Sequence, residues 1–163
     1  MAVNKTLAMR LLEGKKVSYD AVSYDASERD AEKIALQLDV PPEQVFKTLV
    51  VAAPQDGRSP SKPLLVVIPA NRQLDLKKLA KLNKVKKLKM ATHQQAEEMT
   101  GLQVGGISPL ALINKGFTIY LDELALEQPQ IYVSAGERGT QIKLAPADLH
   151  KLTGARLADV SSG

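Results

Sequence analysis

Leu7, Leu11 and Leu12 recur at helical spacing between Lys5 and Glu13, and Gly14 ends the pattern, so a first helix is expected there. Val17, Tyr19 and Ala21 face one way in an extended segment and Val22 and Tyr24 the other, which suggests a bulge between the halves. Ala31, Ile34, Ala35 and Leu38 give a second helix its buried side, and Ser27-Glu-Arg-Asp30 before them has capping-box spacing with Asp in place of Glu. Pro41-Pro42 breaks the chain. Val45 to Ala53 is a short, β-branched apolar run interrupted by one charge, Lys47. Pro54 to Pro63 reads as a polar turn and Leu64 to Ile68 as a second apolar run, so the pair predicts a buried hairpin or two neighbouring strands.

Asp75 can cap a helix carrying Leu76, Leu79 and Leu82, with lysines outside, and Lys84 to Met90 is expected to return as a strand with lysines on its wet side. Thr92-His-Gln-Gln95 is another capping box, and Gly101 suits the position just past that helix. Phe117 to Leu121 reads as a strand. Ile131-Tyr-Val133 and Gln141-Ile-Lys-Leu144 flank the hairpin-like connection Ser134-Ala-Gly-Glu-Arg-Gly139. Pro146 starts a last helix through Leu152, closed by Gly154, and Ser161 to Gly163 are expected to fray. Strands alternating with helices, without a repeat or a dividing linker, predict a single α/β domain over residues 1–163.

Composition narrows the chemistry. At 44% hydrophobic and 25% charged residues the chain is globular rather than disordered. It has no cysteine, which excludes disulfides, thiolate zinc sites and a cysteine nucleophile. His93 and His150, the two histidines, are expected to be ordinary helical residues, and a triad or histidine metal cluster would have to use one of them. No Walker loop, zinc signature or EF-hand is present, so neither cofactor nor metal is expected. No run approaches a membrane span, and a cytoplasmic protein is expected.

Charge is unevenly spread. Residues 71–90 hold Arg72, Lys77, Lys78, Lys81, Lys84, Lys86, Lys87 and Lys89 against Asp75, a net +7 that leaves −3 for the rest of a +4 chain. Such a segment suits a polyanionic partner, or is a solvated face. Two further stretches invite chemistry. Thr100-Gly-Leu-Gln-Val-Gly-Gly-Ile-Ser-Pro109 carries Gly105-Gly106, whose amides can approach an oxyanion or phosphate, or which simply turn the chain. Lys47, inside Val-Phe-Lys-Thr-Leu-Val-Val, either points to solvent from an edge strand or enters a pocket.

Val-Phe-Lys-Thr-Leu at 45–49, Gln-Leu-Asp-Leu-Lys-Lys at 73–78, the 100–109 stretch and Ile-Tyr-Val-Ser-Ala-Gly-Glu-Arg-Gly at 131–139 occur in this order in one family. Over nearly its whole length the chain resembles the YbaK/EbsC aminoacyl-tRNA deacylases, relatives of the editing domain inserted in bacterial prolyl-tRNA synthetases. The resemblance implies one α/β domain whose mixed sheet curls into a partial barrel surrounded by helices. It implies a free-standing editing enzyme that removes cysteine wrongly attached to tRNA(Pro). The family's essential lysine falls on Lys47, and its pocket positions fall on Tyr24, Thr48, Gly105, Gly106, Ser134 and Gly136. Two departures are Ala135, where many members have glycine, and Gln141, where some carry Asp. The segment after Tyr24 is also shorter than in some members and lacks a pocket aromatic.

With no protein nucleophile evident, the expected mechanism is attack by the substrate's own thiol on its ester carbonyl, the Gly105 and Gly106 amides holding the oxyanion. Ser134 is read as a substrate hydrogen-bonder and Ser108 as structural. Lys77, Lys78, Lys81, Lys84, Lys86 and Lys87 are the expected tRNA-binding residues, with prolyl-tRNA synthetase as a possible partner. Ala-tRNA(Pro) or broader deacylation is the neighbouring alternative. A non-catalytic tRNA- or synthetase-binding module is the alternative from another class.

Overall fold

The computed structural model describes residues 5–53 and 62–163. In chain order these form α1 (Leu7–Gly14), β1 (Asp20–Ser23), α2 (Ala31–Leu38), β2 (Phe46–Val51), β3 (Leu64–Pro69), β4 (Gln73–Leu74) and α3 (Leu76–Leu82). They continue through α4 (His93–Thr100), β5 (Thr118–Asp122), β6 (Ile131–Ser134), β7 (Thr140–Leu144), α5 (Pro146–Thr153), β8 (Arg156–Ala158) and β9 (Ser161–Ser162).

β3 is the wall on which the molecule is hung. All six of its residues are buried, and their alternation sends Leu65 and Val67 into one apolar cluster and Leu64, Val66 and Ile68 into another. The first cluster takes Ala8, Met9 and Leu12 of α1, Leu144 and Leu149; the second takes Leu79 and Ala80 of α3. β3 pairs with β2 antiparallel and with β5 parallel, and β8 joins beyond β5, giving a mixed four-stranded sheet. β1, β7 and β6 form an antiparallel three-stranded sheet, and β4 pairs with β9. The expected α/β fold is present, but its strands divide among these sheets and are not closed into a barrel. A bridge between Val45 and Tyr132 joins the free edge of β2 to the edge strand β6.

Local chemistry accounts for most element ends. Thr92 and Gln95 form the reciprocal box, at 2.9 and 3.1 Å, and Gly101 ends α4 in the left-handed region at φ 73°. Asp75 accepts from the Lys78 amide at 3.1 Å and starts α3. His93 and His150 lie in α4 and α5. The expected turn over Pro54–Pro63 lies largely outside the described residues.

Five expectations are corrected. The cap of α2 is Asp30, which accepts from the Glu32 amide at 2.9 Å, because Ser27 is already held in a tight turn by Asp25. The extended segment over Val17–Tyr24 narrows to β1, since the Val17 amide closes α1 on Leu12. Leu7 is 64% exposed, and α1 packs through Ala8, Met9 and Leu12 instead. Lys84–Met90 is not a strand: Lys84 turns at φ 55°, Val85 and Leu88 pack on the second cluster, and Met90 alone bridges Val51. Ser161–Gly163 does not fray at its start. Ser161 is fully buried, donating to Asp122 Oδ2 at 2.6 Å and accepting from Arg72 Nε at 2.7 Å.

Candidate active site

β2 is an edge strand, and the space between its free edge and the β6–β7 hairpin is not filled. It forms a cavity of about 140 Å³ walled by Val45 and residues 46–49 of β2, by Arg29, Ala31 and Ile34, by Val104, Gly105 and Ile107, and by Ser134 and Gln141. Lys47 and Gly105 therefore line one small space, although 57 residues of chain separate them. The Lys47 ammonium is half-buried and donates to the Ala70 carbonyl at 3.2 Å. Desolvation pushes its pKa below the ordinary lysine value, while the nearby Glu32 and Asp30 carboxylates act in the opposite sense.

Two side-chain oxygens on this cavity, Thr48 Oγ1 and Gln141 Oε1, are buried without a hydrogen-bond partner among the described residues. Buried polar atoms are normally paired, and leaving one unpaired costs about 1–3 kcal/mol. Ser134 is 7% exposed, and its Oγ accepts from the Gly136 amide at 3.2 Å. Gly105 takes φ 94°, its carbonyl accepts from the Tyr24 hydroxyl at 3.5 Å, and its amide has no acceptor among the described residues.

Not every expected residue arrives. The Gly106 amide is already used, donating to Gln103 at 2.8 Å. A Cβ there would stand 2.9 Å from the Arg138 nitrogen and the Glu137 carbonyl carbon, so glycine is required by backbone packing rather than by a ligand. Gly136 lines a separate 420 Å³ cleft with Thr6, Leu7 and Lys115. Ser108 is fully buried and receives the Leu110 amide at 3.2 Å. Ala135 is fully buried in the first cluster, where its methyl packs without reaching the cavity lining.

The lysines also separate. Lys84, Lys86, Lys87 and Lys89 border a larger cleft of about 740 Å³ with Ala52, Val85, Leu88 and Met90, at the opposite end of β2 from Lys47. Lys78 is tied to Asp159 at 3.0 Å and to the Ser161 carbonyl at 2.9 Å, whereas Lys77 and Lys81 stay exposed on α3. Two arginines that sequence reading passed over stand at the Lys47 cavity. Arg29 lines it, and Arg138 fixes the glycine loop by donating to the Val104 carbonyl at 2.8 Å. Arg138 lay inside a quoted motif; Arg29 was hidden in what looked like a capping box. Among the described residues no cluster of potential metal ligands is found, and no helix is long and apolar enough to cross a membrane.

A cavity this small, with an ammonium, a bare amide and unpaired oxygens among its walls, has the size of a single polar moiety. The chain belongs to the aminoacyl-tRNA editing domain family, whose model matches residues 25–152. It is 41% identical over 160 residues, 97% of this chain and 94% of the other, to EbsC of Enterococcus faecalis, provisionally named a Cys-tRNA(Pro)/Cys-tRNA(Cys) deacylase. It is 29% identical over 114 residues to a proline–tRNA ligase of Pediococcus pentosaceus, 69% of this chain but 19% of that enzyme. A solved structure described provisionally as a trans-editing enzyme for prolyl-tRNA synthetase superposes with TM-score 0.78 at 28% identity, covering 99% of this chain and all of the other.

Proposed function

We propose that residues 1–163 act as one trans-editing deacylase domain that removes cysteine from mischarged tRNA(Pro), with the aminoacyl group held in the Lys47 cavity. The observation that carries this reading is the meeting of Lys47, Gly105 and two unpaired oxygens around about 140 Å³. An aminoacyl ester brings a carbonyl oxygen and an ammonium. The Lys47 ammonium and the Gly105 amide face the developing oxyanion, where one such donor is worth about 3–4 kcal/mol. Gln141 Oε1 and Thr48 Oγ1 accept from the substrate's ammonium. Ser134 and Tyr24 hold the loop and hairpin that carry these donors.

No nucleophile from the chain is needed. The substrate thiol attacks its own ester carbonyl, the C–S bond forms, the C–O bond to the ribose breaks, and the thiol proton passes to the departing ribose oxygen. The products are a thiolactone and uncharged tRNA. Lys84, Lys86 and Lys87, with the exposed Lys77 and Lys81, supply sequence-independent contacts to tRNA phosphates, and Lys78 has a structural share through Asp159. Selection of proline tRNA falls to prolyl-tRNA synthetase as partner, and a substrate of translation agrees with a cytoplasmic location.

The test is a deacylation panel of Cys-, Ala-, Ser- and Pro-tRNA(Pro), with wild type and Lys47→Ala. Rapid release of cysteine alone, lost in the variant, is expected. Serine released as fast as cysteine excludes the thiol mechanism, rapid alanine release replaces cysteine by a broader specificity, and no release at all leaves a non-catalytic binding module.

A further inference from the structure

Arg29 and Arg138 converge on the rim of the Lys47 cavity. The position that a Gly105 Cβ would occupy is 3.5 Å from Arg29 Cγ, 3.7 Å from Arg138 Cγ and 3.6 Å from Arg138 Nε, so both side chains pass over the same glycine. Arg138 is held there by its bond to Val104 O, which leaves the terminal nitrogens of its guanidinium available. No carboxylate lines the cavity, and Arg29 makes no ion pair with a described residue. Of the acids beside them in the chain, Asp30 caps α2 and Glu137 accepts from Thr140, whereas the Glu28 carboxylate has no hydrogen bond among the described residues.

We infer that Arg29 and Arg138 form a phosphate subsite at the cavity mouth, taking the phosphodiester between the last two nucleotides of the substrate RNA. This rests on the deacylase reading above. With the ester in a cavity too small for a nucleotide, the terminal ribose must stand at the mouth, and its 5′-phosphate is the first charge outside. A planar guanidinium meets a phosphate with two parallel donors, and two of them on one glycine fix where that phosphate sits. The lysines around Met90 cannot serve this phosphate, because Lys47 on β2 and Ala52 just past its end are about 17 Å apart. The rim arginines place the 3′ end, and the lysine cleft acts on phosphates further along the RNA.

Two small esters isolate the subsite: cysteinyl-adenosine, which lacks the phosphodiester, and cysteinyl-cytidylyl-adenosine, which has one. Wild type is expected to favour the dinucleotide by about tenfold or more in kcat/KM, mainly through KM, and to lose that preference at high salt. Arg29→Ala is expected to shrink the ratio to about threefold or less. Arg138→Lys, which keeps the charge but loses the fork, is expected to shrink it partway, with thermal melting checking that the loop stays folded. An enzyme active on Cys-tRNA(Pro) that turns over both esters equally, or neither, overturns the subsite, as does an unchanged ratio in both variants. An enzyme inactive on every aminoacyl-tRNA overturns the deacylase reading instead.

Discussion

Two buried polar clusters in this molecule are built to opposite rules. At the C-terminal clasp, Asp122 Oδ1 accepts from the Leu124 amide at 2.9 Å and Oδ2 from Ser161 Oγ at 2.6 Å and the Val160 amide at 3.3 Å. Arg72 adds bonds to Ser161 Oγ and to its carbonyl, at 2.7 and 3.0 Å. In the Lys47 cavity, by contrast, two oxygens are buried without partners and a lysine is partly desolvated. The first arrangement recovers its desolvation cost in hydrogen bonds and holds the chain end in place. The second leaves that cost outstanding in the free protein, which is tolerable where a ligand makes the missing bonds.

The sharpest way to break this contrast is Lys47→Ala. Deacylation is expected to fall about 100-fold or more, while the melting temperature holds or rises because a desolvated ammonium is removed. A variant that loses stability instead would move Lys47 to the structural side. Asp122→Ala should do the reverse. Removing the hub of a satisfied cluster is expected to cost about 3 kcal/mol in urea unfolding, with turnover per folded molecule nearly unchanged.

Gly106→Ala tests a residue that changed sides. Its Cβ would press on the 137–138 backbone, so a loss of about 1–3 kcal/mol is expected in unfolding, ahead of any effect on catalysis. Gln141→Leu removes an unpaired oxygen. Stability is expected to hold or rise and KM to increase about tenfold. The smallest effect is pH-dependent. With the Lys47 pKa lowered in the folded state, the unfolded chain binds more protons between the two pKa values, so folding stability rises with pH across that window. Activity that needs the ammonium falls over the same range, beginning below about 10.4, the ordinary lysine value. Lys47→Met should flatten the stability slope, which denaturation at several pH values would detect.

The element map was legible because its signals are short-range. The Thr92–Gln95 box, the Asp75 cap and the glycine at 101 each act within one turn of chain. The family motifs carried Lys47 and Gly105 to the cavity rim. What failed was also instructive. Ser27 matched a cap by spacing, but Asp25 captured it first. The last residues looked loose because the partners of Ser161, at Asp122 and Arg72, are 39 and 89 positions away.

The sequence by itself determined the five helices α1 to α5, the strands β2, β3, β5, β6 and β7, and which side chains carry charge, because periodicity and capping depend on neighbours within a few residues. Only the tertiary structure decided that the free edge of β2 stands against the β6–β7 hairpin with a gap between them. That gap puts Lys47, Thr48, Gly105 and Gln141 together, and it spends the Gly106 amide elsewhere. Whether a polar atom finds a partner depends on every element packed around it, and no local pattern in the chain encodes that.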